Sequence, residues 1–385
     1  YCIYRNHIPN LSLQNYEKGE YFGCIILKSF FYHSIQRFSH CSIKFLLTTE
    51  PFGLFRAILR HIIAVLNGYK SRKSNNSIII RALYFNFLDL IIELNEMQKK
   101  LVINYTPTGM IPTKNMTPHV PVSVSEIVED VQAACELGIT MVHLHARDAN
   151  TGEPTYKKEV YGAIIEGIRK YAPHLVLCVS LSGRNINKLE LRADPLSLEG
   201  NLKPDFGSLT LSSLNFNQTA SVNSPSMVQD LAAIMKEKGI VPELEAFDIG
   251  MVNYAKYLEK KELIKPPYYF NLLLGNIACA QADLLHTGIM IRDLPGDSIF
   301  SLAGIGNDQL TMNSVAIAIG AGVRVGLEDN IWFDSARTKL ATNMDLLNRI
   351  HTISIANDRE IMSPQEFRLK MQLEPGNGKY GRKLS

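Results

Sequence analysis

From Lys100 onward the sequence predicts an α/β fold, a (β/α)8 TIM barrel preceded by an atypical N-terminal extension. Three observations predict it. Short apolar runs alternate with helix-length amphipathic segments. Eight such pairs fit into about 260 residues, the usual span of a (β/α)8 barrel. The competing architecture, a doubly wound open sheet, would carry G-x-G-x-x-G after its first strand, and that fingerprint is missing.

Taken in order, Leu101–Tyr105 is predicted as the first strand and Ser125–Leu137 as the first helix. Ser125 precedes Val128 rather than Glu by three, so its capping box is imperfect, but Glu126, Glu129 and Asp130 suit a helix N-terminus and Gly138 its C-cap. Thr140–His145 is the second strand, Lys157–Tyr171 a helix and Leu175–Ser180 the third strand. Ser208–Leu211 follows a long connection as the fourth, and Pro225–Lys238 is a helix stopped by Gly239. Val241–Phe247, Tyr268–Leu274, Ile299–Ala303 and Val323–Leu327 complete the strands. The intervening helices are predicted at Val252–Lys261, Ile277–Thr287 and Gln309–Gly320, with a long one at Asp334–Ala356. Ser363-Pro364-Gln365-Glu366 is a capping box for a terminal helix. Gly304-Ile305-Gly306 follows the seventh strand, where barrels often bind phosphate; a tight turn accounts for it equally well.

Residues 1–96 are a different kind of sequence. They hold 11 Lys/Arg against 6 Asp/Glu, 16 of the 32 Phe and Tyr, and Cys2, Cys24 and Cys41. Their most apolar runs are interrupted by Arg56, Arg60, Arg81 and Asp89, short of the ~18 apolar residues a membrane helix requires. No signal-peptide pattern is visible. Met97-Gln98-Lys99-Lys100 has the look of a translation start, so we read 1–96 as an extension of read-through or disordered sequence and 97–385 as the catalytic domain. The competing reading is a basic, aromatic-rich arm for a partner or a membrane surface. Over the whole chain, 40 basic against 37 acidic residues give no bias toward nucleic acid or membrane. Cys135, Cys178 and Cys279 form no C-x-x-C pair, which suits a reducing, cytoplasmic setting.

The chemistry is expected at the strand C-termini. His143 and His145, two apart on a strand, leave it on one face. Ser180 and Ser182 end the third strand before Gly183-Arg184, Ser208 and Thr210 lie on the fourth, and Glu243 and Glu245 on the fifth. Arg324, Glu328, Asp329 and Asn330 cluster at the eighth, and strands two and eight both flank strand one. Two His plus one Glu leave an open position, the pattern of a catalytic zinc, although such ligands also accept manganese or ferrous iron. The plainer readings are a hydrogen-bonded core histidine and a structural ion network around Arg324.

Met141–Asp148, the Val-Pro-Glu-Leu-Glu of 241–245, Ala303–Gly306 and Val323–Asn330 carry a resemblance. From about Lys100 to Ala356 the chain resembles the β-keto acid cleavage enzymes, which include 3-keto-5-aminohexanoate cleavage enzyme. The resemblance implies a zinc-dependent barrel that converts a β-keto acid and acetyl-CoA into a new acyl-CoA and acetoacetate. It implies His143, His145 and Glu328 as zinc ligands, Asp329 as general base and Arg324 as its charged partner. Ser180 would lie near the substrate carboxylate, and Ser208 stands where a threonine contacts substrate. Ser182, Gly183, Thr210 and Glu245 complete the substrate-binding set. A homo-oligomer, preferentially a tetramer, is also implied.

One position departs from the resemblance. The amino-substrate enzyme carries a glutamate for the substrate ammonium, and the matching position here is Ile111, which cannot compensate a charge. A β-keto acid without an amine is therefore expected. The rival function is a metal-dependent hydrolase of the amidohydrolase type, which also uses His-x-His in a barrel, but on its first strand. A Schiff-base aldolase lacks its lysine at the later strand ends.

Overall fold

A computed structural model of the chain describes residues 100–384. The extension expected at 1–96 lies outside the described residues. The strands are β1 (Ile103–Tyr105), β2 (Met141–Leu144), β3 (Val176–Val179), β4 (Phe206–Thr210), a hairpin of β5 (Leu214–Asn215) and β6 (Ala220–Ser221), then β7 (Val241–Ala246), β8 (Tyr268–Leu274), β9 (Ser298–Gly304) and β10 (Gly322–Val325). Eight of them close a parallel barrel in the order β1-β10-β9-β8-β7-β4-β3-β2. The eight predicted strands are these eight, in order. The hairpin is an insertion after β4 that periodicity did not reveal, because each arm has only two residues.

The helices are α1 (Val124–Leu137), α2 (Lys158–Arg169), α3 (Leu189–Arg192), α4 (Pro225–Lys238), α5 (Ile249–Lys260), α6 (Leu284–Asp293), α7 (Asp308–Ala318), α8 (Asn343–Ala356) and α9 (Pro364–Lys370). Four starts that differ from expectation are set by a side-chain cap, among them α5, which begins at Ile249 after the cap Asp248 rather than at Val252. Helix α1 begins one residue early, with Ser123 and Glu126 forming the full capping box that Ser125 lacked. Helix α6 begins at the cap Asp283 rather than near Ile277. Helix α8 begins at Thr342, boxed with Asp345; residues 334–342 form a turn and a short bridge, Trp332 to Leu340, instead of helix.

Barrel strands are buried on both faces, so they read as continuous apolar runs. One apolar layer lies between strands and helices. A second fills the barrel interior with Met141, Val176, Phe206 and Tyr269, and α9 plugs its lower end with Phe367 and Met371. The Phe367 ring stacks on Phe206 at 6.3 Å and meets Tyr269 edge-on at 5.4 Å. Arg368 locks the plug by donating to both oxygens of buried Asp205, at 2.9 and 2.7 Å. The lower end is thus closed by packing, which leaves the C-terminal mouth for chemistry. Among the described residues no helix is long and apolar enough to cross a membrane.

Candidate metal centre and active site

Strand β2 turns both histidines inward, and both are buried. Their Nε2 atoms are 3.2 Å apart, and His145 Nε2 is 3.1 Å from Glu328 Oε1. The parallel pairing of β1 with both β2 and β10 brings these side chains from residues 183 apart into one cluster. The other Glu328 oxygen, Oε2, is buried with no hydrogen-bond partner in the structure. Two ring nitrogens facing each other beside a buried carboxylate with a spare oxygen form a donor set that could hold a metal ion. The donor set fits zinc.

Behind His143 stands Glu243, fully buried on β7, with Oε2 2.5 Å from His143 Nδ1. Asn104 and Asn271 donate to Glu243 Oε1 at 2.6 and 2.8 Å, and the Cys178 thiol donates to Oε2 at 3.1 Å. With so many donors Glu243 stays a carboxylate: burial works against ionisation, but His143 and Arg324 hold it down to about 2. Burial would drive His143 toward the neutral ring, yet Glu243 and Glu328 outweigh it and lift the metal-free histidine to about 9. His145 shifts downward, because its burial prevails over Glu328.

Arg324, on β10, gathers the acidic side chains of the mouth. It donates to Glu328 Oε1 at 2.7 Å, Asp329 Oδ2 at 3.0 Å and Glu245 Oε1 at 3.2 Å. Burial lifts Asp329 above the ordinary carboxylate range despite the guanidinium. Glu245 is raised for the same reason, and Thr210 donates to its Oε2 at 2.7 Å.

The serines sit along the same rim. Ser180 and Ser182 share the lining of a cavity with His145, Tyr156, Tyr161 and Met110. Ser208 is tied back, its Oγ accepting from the Leu181 N–H at 3.0 Å. Gly183 packs behind the rim, where a Cβ would come within 2.6 Å of Arg192 Nη1 and of the Val222 oxygen. Asn330 turns away to bond Trp332, and His286 is paired with Asp283 at the start of α6, on the surface. The 304–306 turn holds the mouth together, with the Gly306 N–H donating to the Asp329 oxygen at 2.8 Å.

The loop after β1 lies over the ligands. Gly109, at φ +68°, comes so close that a Cβ would lie 2.5 Å from Glu328 Cγ. Arg147 clamps this loop by donating to the Gly109 and Pro112 oxygens at 2.7 and 2.9 Å. Ile111, within it, is half-exposed. Asn104, Asn271, Cys178 and Arg147 were not singled out by the sequence reading, and Glu243 was noted without a role. A signal existed for three of them: Asn104 and Asn271 interrupt otherwise apolar strands, and Glu243 shares a face with Glu245.

Residues 100–373 match the family model described as beta-keto acid cleavage enzyme. The 3-keto-5-aminohexanoate cleavage enzyme of Fusobacterium nucleatum is 32% identical over 281 residues, 72% of this chain and 100% of that protein. The 3-oxoadipate:acetyl-CoA acetyltransferase of Cupriavidus necator is 35% identical over 283 residues, covering 72% and 96%. The solved ternary complex of ObcA with C4-CoA adduct and oxalate shares the fold, with a TM-score of 0.56 at 20% identity over 66% of this chain and 68% of that one. With its barrel, its clustered strand ends and a match over most of its length, the chain belongs to the β-keto acid cleavage enzymes.

Proposed function

We propose that the protein joins acetyl-CoA to a β-keto acid lacking an amine, with zinc held by His143, His145 and Glu328, and releases acetoacetate and a new acyl-CoA. In the net reaction the bond between the keto carbon and C2 of the keto acid breaks, as does the acetyl thioester. A carbon–carbon bond to the acetyl group and a new thioester on the acyl group form in their place. The observation that carries this reading is the junction of the His143–His145–Glu328 cluster with the Arg324–Asp329 pair, through the shared Glu328–Arg324 contact of 2.7 Å.

Bound zinc would supply Lewis-acid polarisation of the keto group. The remaining work falls to side chains. Asp329, buried and raised, is suited to take a proton from C2 of the β-keto acid, the carbon that then joins the acetyl carbonyl carbon as the acetyl thioester breaks. Arg324 stabilises the carboxylates around it and fixes Asp329 through Nε. Ser180 and Ser182 offer hydroxyls beside His145 for the substrate carboxylate, and the same reading gives Ser208, Thr210, Glu245 and Gly183 places in the substrate-binding set. Half-exposed Ile111, on the loop pinned by Arg147, gives an ammonium nothing to pair with.

The relatives' names, which pair acetyl-CoA with 3-oxoadipate or 3-dehydrocarnitine, support acetyl-CoA as co-substrate. The same reading assigns catalysis to residues 97–385, treats 1–96 as an extension, and includes a homo-oligomer, a tetramer by preference, in the cytoplasm. The test is acetoacetate release from acetyl-CoA and a panel of β-keto acids, with and without zinc, beside His143→Ala and Asp329→Asn. Zinc-dependent turnover lost in both variants supports the reading. Zinc binding without turnover of any β-keto acid, and activity on amides or lactones instead, overturns it in favour of the hydrolase.

A further inference from the structure

The chain passes from β10 to Glu328 and Asp329 through a glycine. A Cβ at Gly326 would come within 2.1 Å of the Thr106 oxygen, so glycine is required beside the end of β1. Glycine also gives the backbone its greatest conformational freedom. That freedom falls two residues before Glu328, whose Oε1 meets His145 Nε2 at 3.1 Å and Arg324 Nη2 at 2.7 Å.

The peptide joining Gly326 to Leu327 is held at both ends by side chains from other elements. Gln309, in the first turn of α7, donates from Nε2 to the Gly326 oxygen at 2.9 Å. Asn343, the first residue of α8, accepts the Leu327 N–H on Oδ1, also at 2.9 Å. Both are buried, at 2% and 1% exposure. The C=O and N–H of a trans peptide point in opposite directions, so partners at both ends fix the rotation of its plane. The residues that follow are tied to it. The Asp329 N–H donates to the same Gly326 oxygen at 3.3 Å, and the Glu328 N–H to the Thr106 oxygen at 3.2 Å.

Asn343 reaches further. Its Nδ2 donates to the Pro107 oxygen at 3.1 Å and to Asp130 Oδ2 at 2.7 Å. Pro107 belongs to the loop whose Gly109 packs on Glu328 Cγ. One acceptor facing an N–H and two donors facing oxygens are what a carboxamide offers; a carboxylate there would set oxygen against oxygen twice. Among the described residues neither Gln309 nor Asn343 hydrogen-bonds to the side chains of His143, His145, Glu328 or Asp329, so both act through the backbone.

We infer that Gln309 and Asn343 are positioning residues, which clamp the 326–327 peptide and thereby aim Glu328 at the histidines and Asp329 at Arg324. The inference rests on the reading above, in which Glu328 is a zinc ligand and Asp329 the base.

The test compares the wild type with Gln309→Met, Asn343→Ala and the double variant Asn343→Asp, Asp130→Asn. Zinc affinity is measured by chelator competition, kcat and KM by acetoacetate release, and Tm by calorimetry. Gln309→Met keeps the core filled and removes the donor to Gly326; it carries the test if Asn343→Ala does not fold. The double variant keeps an acceptor for the Leu327 N–H and exchanges donor and acceptor between positions 130 and 343. Zinc affinity is expected to fall about 10–100-fold in Gln309→Met and Asn343→Ala, with kcat falling more than KM rises, and to recover in part in the double variant. A folded Gln309→Met protein with a lower Tm but wild-type zinc affinity and kcat overturns the inference, since the amides then serve stability alone. A double variant that regains Tm and none of the affinity overturns it too. A wild type that binds zinc but releases acetoacetate from no β-keto acid removes the parent reading alone, and the zinc affinities still decide the inference. If the wild type binds no zinc, both fall together.

Discussion

His143 Nδ1 lies 2.5 Å from Glu243 Oε2, a contact that crosses the barrel interior from β2 to β7. A carboxylate accepting from Nδ1–H keeps that nitrogen protonated and leaves Nε2, on the side of His145 and Glu328, as the nitrogen that would give up its proton to a metal. Asn104, Asn271 and Cys178 in turn keep Glu243 in place. His143 is thus oriented from below by a buried network of Glu243, Asn104, Asn271 and Cys178.

Glu243→Gln should therefore weaken zinc binding by roughly 10–100-fold, the usual effect of removing such a partner. Competition with a chelator followed by metal analysis measures it. Unaltered zinc affinity in a folded Glu243→Gln protein would show that His143 needs no such support.

Asp329→Asn should leave the metal bound and lower kcat by roughly 10²–10⁴, the range for loss of a general base. Enzyme-catalysed exchange of deuterium into C2 of the β-keto acid should disappear with it. If exchange persists at the wild-type rate, another group takes the proton.

Gly109→Ala puts a Cβ into Glu328 and forces an L side chain into φ +68°. The strain is about 1–3 kcal/mol, and relief of the clash displaces Glu328, a ligand in the proposed zinc site. Loss of both thermal stability and zinc affinity is expected by calorimetry and metal titration. A lower Tm with full zinc affinity would separate the loop from the ligand.

Asp130 supplies a pH dependence of stability. Burial raises it to about 6, against the hydrogen bonds it accepts from Tyr105 and Asn343. Its folded pKa lies above its unfolded value, so the folded state holds the proton more tightly. The stabilisation is full below the unfolded value of 3.8 and is lost as pH rises through about 6. The difference is on the order of 3 kcal/mol. Urea unfolding across this window should give a smaller fall of stability with pH for Asp130→Asn than for the wild type. Equal slopes would show that Asp130 is not perturbed.

Much of the fold was legible because barrel strands are short, apolar and separated by helices, a pattern that survives without knowledge of neighbours. All eight strand positions and the fold followed from it. Helix starts were less legible. The apolar period continues through Asp334–Thr342, yet the Thr342–Asp345 box sets the start of α8, because a cap satisfies backbone N–H groups that periodicity ignores.

The candidate site divides in the same way. His143-x-His145 and Arg324-x-x-x-Glu328-Asp329 are local patterns, so the sequence by itself determined which titratable and metal-ligating side-chain types this chain carries at the ends of barrel strands. Only the tertiary structure decided that Glu243 lies under His143, that Arg147 holds the loop over Glu328, and that the Asn343 amide joins that loop to Leu327. These are contacts between residues far apart in sequence. Closure of the barrel creates them, by bringing side chains from non-neighbouring strands into one buried interior where each polar group must find a partner or be left for a ligand.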